Sequence, residues 1–182
     1  MNSPTKTNGA KSLIILLLVF VMPVAVAKLV LAFDLYQGGA TNKGELLSND
    51  ISYQSLAITN PSPAHWQLMY LVPSDCAQQC QNRLYILKQS HTAMGREQER
   101  IQPVVLVNQH SDTRHLGQYD FNVVDIGAQN PSVLEQQAVV VVDPLGSFVM
   151  RYPSVSDKEQ QIMQGKSMVA DLRKLLKLSR VG

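Results

Sequence analysis

From Ser12 to Ala27 the chain carries no charged residue, and this run limits what the polypeptide can become more than any other feature. It reads Leu13-Ile-Ile-Leu-Leu-Leu-Val-Phe-Val-Met22-Pro-Val-Ala-Val-Ala27, behind a polar leader whose only charges are Lys6 and Lys11. As a helix the run rises about 24 Å, short of the ~30 Å hydrocarbon core of a bilayer. Continued through Lys28 to Phe33 it reaches about 33 Å, provided Lys28 lifts its amine to the headgroups. The pattern predicts one membrane-spanning helix over 12–33, with 1–11 cytoplasmic because lysines stay inside. A cleaved export signal competes with it: Ala25-Val26-Ala27 fits the small-x-small cleavage pattern, and Pro23 would end the apolar helix just before. Either way everything after about residue 34 is exported. In a bacterium that means an inner-membrane anchor and a periplasmic domain, where a thiol pair can oxidise.

The remainder of the 182 residues reads as an average soluble protein, enough for one core. Sixteen Lys+Arg against 14 Asp+Glu leave a net charge of +2, without the basic excess of a nucleic-acid binder. Two cysteines cannot staple a disulfide-rich scaffold.

Residues 34–60 form a polar, turn-rich tether (Gly38-Gly39, Asn42-Lys43-Gly44, Ser48-Asn49-Asp50) running into an edge strand or hairpin. The domain proper spans 61–182. His65–Val72 predicts a buried strand ended by Pro73. Asp75 then predicts a helix N-cap, with Cys76 at the first helical position, Gln78 at the third, Leu84, Leu87 and Met94 facing the core, and Gly95 as the stop. Pro103–Val107 is a second buried strand, and 114–119 a short helix. The run Ala138–Val142 suits a central strand covered on both faces. Asp143-Pro-Leu-Gly146 turns it back into an antiparallel strand over 147–152. An amphipathic helix over 157–178 closes the chain, with Ile162, Val169, Leu172 and Leu176 apolar. The order β-α-β-(α)-β-β-α predicts an α/β fold: a thioredoxin-like domain, its central mixed sheet flanked by helices, behind one transmembrane helix.

Cys76-Ala-Gln-Gln-Cys80 opens the first domain helix. On a helix, residues four apart stand about 5–6 Å apart at Cβ, wider than the ~3.5–4.5 Å of a disulfide, so bonding would distort the first turn and leave the bond labile. The helix N-terminus favours a thiolate at Cys76, and Asp75 opposes it. Two thiolates on one face can also hold Cu(I). A plain structural disulfide is the alternative.

Cys76 to Cys80, the following strand, Asn108-Gln-His-Ser-Asp112-Thr113 and Val139-Val-Val-Val-Asp143-Pro-Leu-Gly-Ser-Phe together resemble the Sco/SenC family over roughly residues 44–178. The Trp66-Gln-Leu-Met-Tyr70 strand is similar to that of small proteobacterial proteins described as transmembrane cytochrome oxidase-associated. The resemblance implies a membrane-anchored thioredoxin fold that helps assemble the copper A centre of cytochrome c oxidase. It implies copper as cofactor, held by Cys76 and Cys80 with one downstream histidine. Here the loop Gly127–Gln137, where the family places that histidine, has none, and Ala77 and Gln81 replace the family's prolines. His110 and His115, in the loop after the second strand, are the candidates for a third ligand. His91 lies about 22 Å along the helix from Cys76 and His65 heads the first strand, so neither shares a metal. Pro131, before the penultimate strand, is the candidate for the proline that faces the active site in thioredoxin-like proteins.

Three functions follow. In thiol-disulfide exchange, Cys76 attacks and Cys80 resolves, with a cytochrome c oxidase subunit or another exported thiol protein as partner. In Cu(I) handling, the same two sulfurs carry the metal. In the third, a membrane-tethered interaction domain carries a structural disulfide and no catalysis.

Overall fold

The computed structural model describes residues 9–32, 42–48 and 50–179. The leader 1–8, Asn49, and the first part of the expected tether (34–41) lie outside the described residues. The chain divides into two units, 1–41 and 42–182.

In the first unit, helix α1 runs from Gly9 to Ala32. It continues through Pro23, which removes one backbone bond without stopping the helix. Its stretch Lys11–Val30 is long and apolar enough to cross a membrane once.

The second unit is built on strands β1 (Glu45–Leu46), β2 (Trp66–Leu71), β3 (Ile101–Val107), β4 (Asn122–Asp125), β5 (Val139–Val142) and β6 (Phe148–Tyr152), with helices α2 (Gln78–Thr92) and α3 (Lys158–Leu178). Sheet order is β1-β6-β5-β2-β3-β4. The pairs β2–β3 and β3–β4 are parallel, and the other three are antiparallel. Strand β4 was not expected: its Asn-Val-Val-Asp is short and half exposed, an edge whose pattern is too brief to read. The short helix expected over 114–119 is a single 3₁₀ turn, Leu116–Gln118.

Alternation of side chains across the sheet explains the unbroken valines. Val139 and Val141 face α2 and α3 with Leu68, Tyr70, Leu84, Leu87 and Leu172. Val140 and Val142 face the opposite side with Met69, Val104, Leu106 and Phe148. That second side is roofed by Tyr53 and Ile58 and by Leu134 from the 3₁₀ turn Ser132–Gln137. Helix α3 begins one residue later than expected because Asp157 is its cap, the carboxylate accepting the Gln160 N–H at 2.9 Å. Ile162, expected in the core, points outward at 42% exposure, and Met168 takes the buried position instead.

Two close approaches fix the helices and the edge. A Cβ on Gly165 would stand 2.7 Å from the Ile86 side chain, so glycine lets α3 press against α2. A Cβ on Gly44 would stand 2.5 Å from Met150, so glycine lets the edge strand lie on the sheet. The Asp171 side chain of α3 then accepts the Lys43 and Gly44 N–H groups at 2.7 and 3.1 Å and the Tyr152 hydroxyl at 2.9 Å.

Candidate functional site

The carboxyl ends of β2 and β3 are stitched together. Asp112 N–H donates to Pro73 O at 2.9 Å, and Ser111 Oγ donates to Val72 O at 2.6 Å. The Cys76 N–H then donates to Asp112 Oδ2 at 3.2 Å. This long-range bond ties Cys76 to the loop after β3, one residue before the Ala77 and Gln78 amides that an Asp75 N-cap would have bound. The N-cap is Ala77, without a side-chain bond, and α2 starts at Gln78. Cys76 lies before the helix, which corrects its expected place at the first helical position. Cys80 sits inside the first turn.

Arg114 closes on Asp112 from the solvent side, its Nε and Nη2 donating at 2.8 and 2.7 Å. Those bonds hold the Asp112 carboxyl far below the ordinary carboxylate range, against the opposing effect of desolvation, with the Cys76 amide assisting. A depressed folded-state value stabilises the fold at pH above the unfolded carboxyl's ~3.9, and the contribution fades as pH falls towards the folded value. Asp112→Asn is therefore expected to melt below the wild type at pH 7. The gap should narrow as pH drops through 4 towards 2, read by circular dichroism melts; a gap independent of pH would refute this account.

Cys76 and Cys80 are joined as a disulfide with Cα atoms 5.0 Å apart, inside the usual range. Because Cys76 is not helical, the spacing of four residues brings no distortion of the first turn. Both cysteines are buried, at 2% and 1% exposure, among Leu84, Val72 and Leu116. Gln81, noted in the sequence only as a replacement for a proline of the family, donates from Nε2 to Cys76 O at 3.1 Å. The same Nε2 lies 3.2 Å from His115 Nε2, whose lone pair accepts it in the Nδ1-protonated tautomer.

His115 thus reaches the cysteine loop through Gln81. His110 lines a cleft of about 540 Å³ with Val72, Ser74, Asn108, Asn130 and Gln137. No group of three His, Cys, Asp or Glu side chains gathers among the described residues. Among the described residues the donors do not complete the three-ligand copper set that the resemblance implies. Pro131 begins the 3₁₀ turn before β5, with Asn130 beside it on the cleft wall. His91 bonds Gln98 O at 3.1 Å, and His65 bonds Pro63 O at 3.1 Å, each away from the sulfurs.

Beneath the pair lies a buried cation that the sequence gave no reason to expect. Arg83, three residues beyond Cys80, is 0% exposed. Its Nη1 donates to Gln164 Oε1, while Nε and Nη2 have no partner. Burial pulls the guanidinium's affinity for its proton down, with Tyr70 partly opposing. Tyr70, whose hydroxyl donates to Gln137 Oε1 at 3.3 Å, is pushed upward by its own burial.

A mixed sheet with a disulfide between the central parallel strand and the helix that follows defines a thioredoxin-like domain. Residues 66–179 match the family described as transmembrane-like, thioredoxin-like, C-terminal domain, and the chain belongs to it. Among solved structures it is similar to the apo Sco1 protein from Thermus thermophilus: 15% identity, TM-score 0.50, covering 75% of this chain and 99% of that one. It is also similar to copper-bound ScoI from Arabidopsis thaliana (13%, TM-score 0.43, covering 72% and 98%) and from Bradyrhizobium japonicum (12%, TM-score 0.38, covering 68% and 95%). At 15% identity the likeness to the Thermus protein shows a shared thioredoxin-like fold. No curated protein matches the chain.

Proposed function

We propose that this chain is a membrane-anchored thioredoxin-like protein that exchanges thiol and disulfide with a partner's cysteines through Cys76 and Cys80. Its domain stands at the periplasmic face of the inner membrane, and its partner is an oxidase subunit or another exported thiol protein within cytochrome c oxidase assembly. The observation that carries the chemistry is the Cys76–Cys80 disulfide at the junction of β2 and α2. In the reduced pair the Cys76 thiolate attacks a partner disulfide, forming a mixed disulfide and releasing one partner sulfur as a thiolate. Cys80, deprotonated, then attacks the Cys76 sulfur and releases the partner's second thiolate. The pair is left as a disulfide, the partner leaves as a dithiol, and two electrons have passed to it.

Burial of both sulfurs makes access the controlling step. The loop 73–76 must leave Asp112 and Gln81 before a partner sulfur can approach in line.

In the full-length Cys80→Ser variant, a mixed disulfide at Cys76 cannot be resolved. It is expected to accumulate as a reductant-sensitive adduct identifiable by mass spectrometry. If the folded variant collects no partner, exchange fails. The domain is then a tethered interaction module with a structural disulfide, and a Cys76→Ser/Cys80→Ser variant should keep full function.

A further inference from the structure

The outer surface of the helical layer carries a second feature, unconnected with the cysteines. Between α2 and α3 runs a groove of about 530 Å³ walled largely by Tyr85, Ile86, Ala93, Ile162, Val169 and Ala170. Tyr85 is 57% exposed, and Met163, next to Ile162 on α3, is 58% exposed. Arg173 ends this groove and also lines a neighbouring cleft of about 390 Å³. The charged residues of that cleft are Arg96, Arg100, Arg173 and Lys177, with Glu97 as the one acid. Glu97 is already engaged by Arg100 at 2.9 Å.

This polarity departs from the near-neutral chain. Helix α3 exposes Lys158, Lys166, Arg173, Lys174 and Lys177 against Glu159, since Asp171 is buried, and α2 adds the half-buried Lys88. The acids nearest this surface are Glu97 and Glu99 beside the cleft and Asp157 and Glu159 at the far, N-terminal end of α3; Asp75, Asp112, Asp120, Asp125 and Asp143 lie on other loops and strand ends. An apolar channel that opens into a cationic pocket is complementary to one kind of molecule: an amphiphile with an anionic head.

We propose that the α2–α3 groove and the adjoining cleft, joined at Arg173, seat an anionic phospholipid of the membrane that α1 enters. The acyl chain would lie against Tyr85, Ile162 and Val169, and the headgroup phosphate against Arg96, Arg173 and Lys177. The proposal rests on the anchoring part of the function above and is independent of the cysteine chemistry. Nine residues of sequence, 33–41, separate the last residue of α1 from the first described residue of the domain. That leash holds the lipid surface at high effective concentration, so a modest intrinsic affinity suffices. Each Lys or Arg near an anionic leaflet contributes about fivefold in binding, within a Debye length of the surface. A mixed apolar and cationic face is also how interfacial helices lie on lipid.

The test uses the full chain reconstituted in two kinds of vesicle, phosphatidylcholine alone and phosphatidylcholine with phosphatidylglycerol. Co-sedimentation with both reports the anchor. Peptide mass spectrometry then follows radical oxidation of Tyr85 and Met163 and acetylation of Lys166 and Lys177, with the exposed Leu145 turn as control. Modification is expected to be about fivefold slower in the phosphatidylglycerol vesicles. The protection should vanish at about 0.5 M salt, where screening shortens to a few ångströms. It should also fall in Arg173→Glu and, separately, in Lys177→Glu. Equal rates in both vesicles overturn the proposal, as does protection that survives in both variants. Protection in neutral vesicles that grows with protein density would assign the face to a second copy of the chain instead. Failure of co-sedimentation would overturn the anchor, and the docking proposal with it.

Discussion

Asp171→Ala is expected to lower the unfolding free energy by about 3–5 kcal/mol, the scale of removing one member of a buried charged network. The carboxylate is 1% exposed and serves three donors at once: the Lys43 and Gly44 amides and the Tyr152 hydroxyl. Alanine removes the acceptor of the part-buried Lys43 and Gly44 amides and leaves the Tyr152 hydroxyl only the weak Met150 Sδ at 3.1 Å, and a buried orphan costs about 1–3 kcal/mol. Tyr152 cannot escape by ionising, because burial, with Asp171 adding to it, pushes its hydroxyl far above its ordinary range. Lys174, at 3.5 Å and partly exposed, adds little. Asp171→Asn keeps one oxygen acceptor and should lose less. Urea unfolding of the full chain in detergent measures both. A loss below about 1 kcal/mol in the alanine variant would mean that water replaces the lost acceptor.

The opposite sign is expected at Arg83. Its guanidinium is fully buried with Nε and Nη2 unpaired, an arrangement in which desolvation outweighs what one amide acceptor returns. Arg83→Met keeps the aliphatic volume and removes the charge, and should raise stability by about 1–3 kcal/mol. Gln164 Oε1 loses its donor in that variant, so Arg83→Met/Gln164→Leu should gain more than the single change. Arg83→Ala should instead destabilise, because it opens a cavity between α2 and α3. Urea midpoints with unchanged slopes report all three. A drop in the methionine variant would show that the buried cation stabilises the fold.

The framework was legible because its signals are local. Four consecutive valines ending in Asp143-Pro-Leu-Gly146 define a doubly covered strand and its turn without outside help. The apolar spacing of Val169, Leu172 and Leu176 defines α3. The apolar run over 12–33 likewise announced α1 within a few residues of its ends. The cysteine loop was misread for the reverse reason. Asp75 is a fair N-cap by type, yet Asp112, brought close by the parallel pairing of β2 with β3, ties the Cys76 amide to the loop after β3. Nothing near Cys76 in the sequence reveals that tie, although the Asp112-x-Arg114 spacing hints at a locked carboxylate. Gln81 stood out only as a departure from the family's proline and Arg83 not at all, because their roles depend on His115 and Gln164 in distant elements. Gly165 in the middle of α3 was the one available sign that two helices meet closely there.

The attachment of β1 has a mechanical side. The two-residue strand is the first part of the domain that the chain from α1 reaches, and it is pinned by β6 and by the Asp171 latch. Any pull arriving from the membrane side is therefore taken up at this latch before it reaches the central strands. If the latch gives way, residues 42–47 peel off and add about 20 Å of slack. One carboxylate on α3 thereby sets how far the cysteine-bearing body can range from its point of attachment.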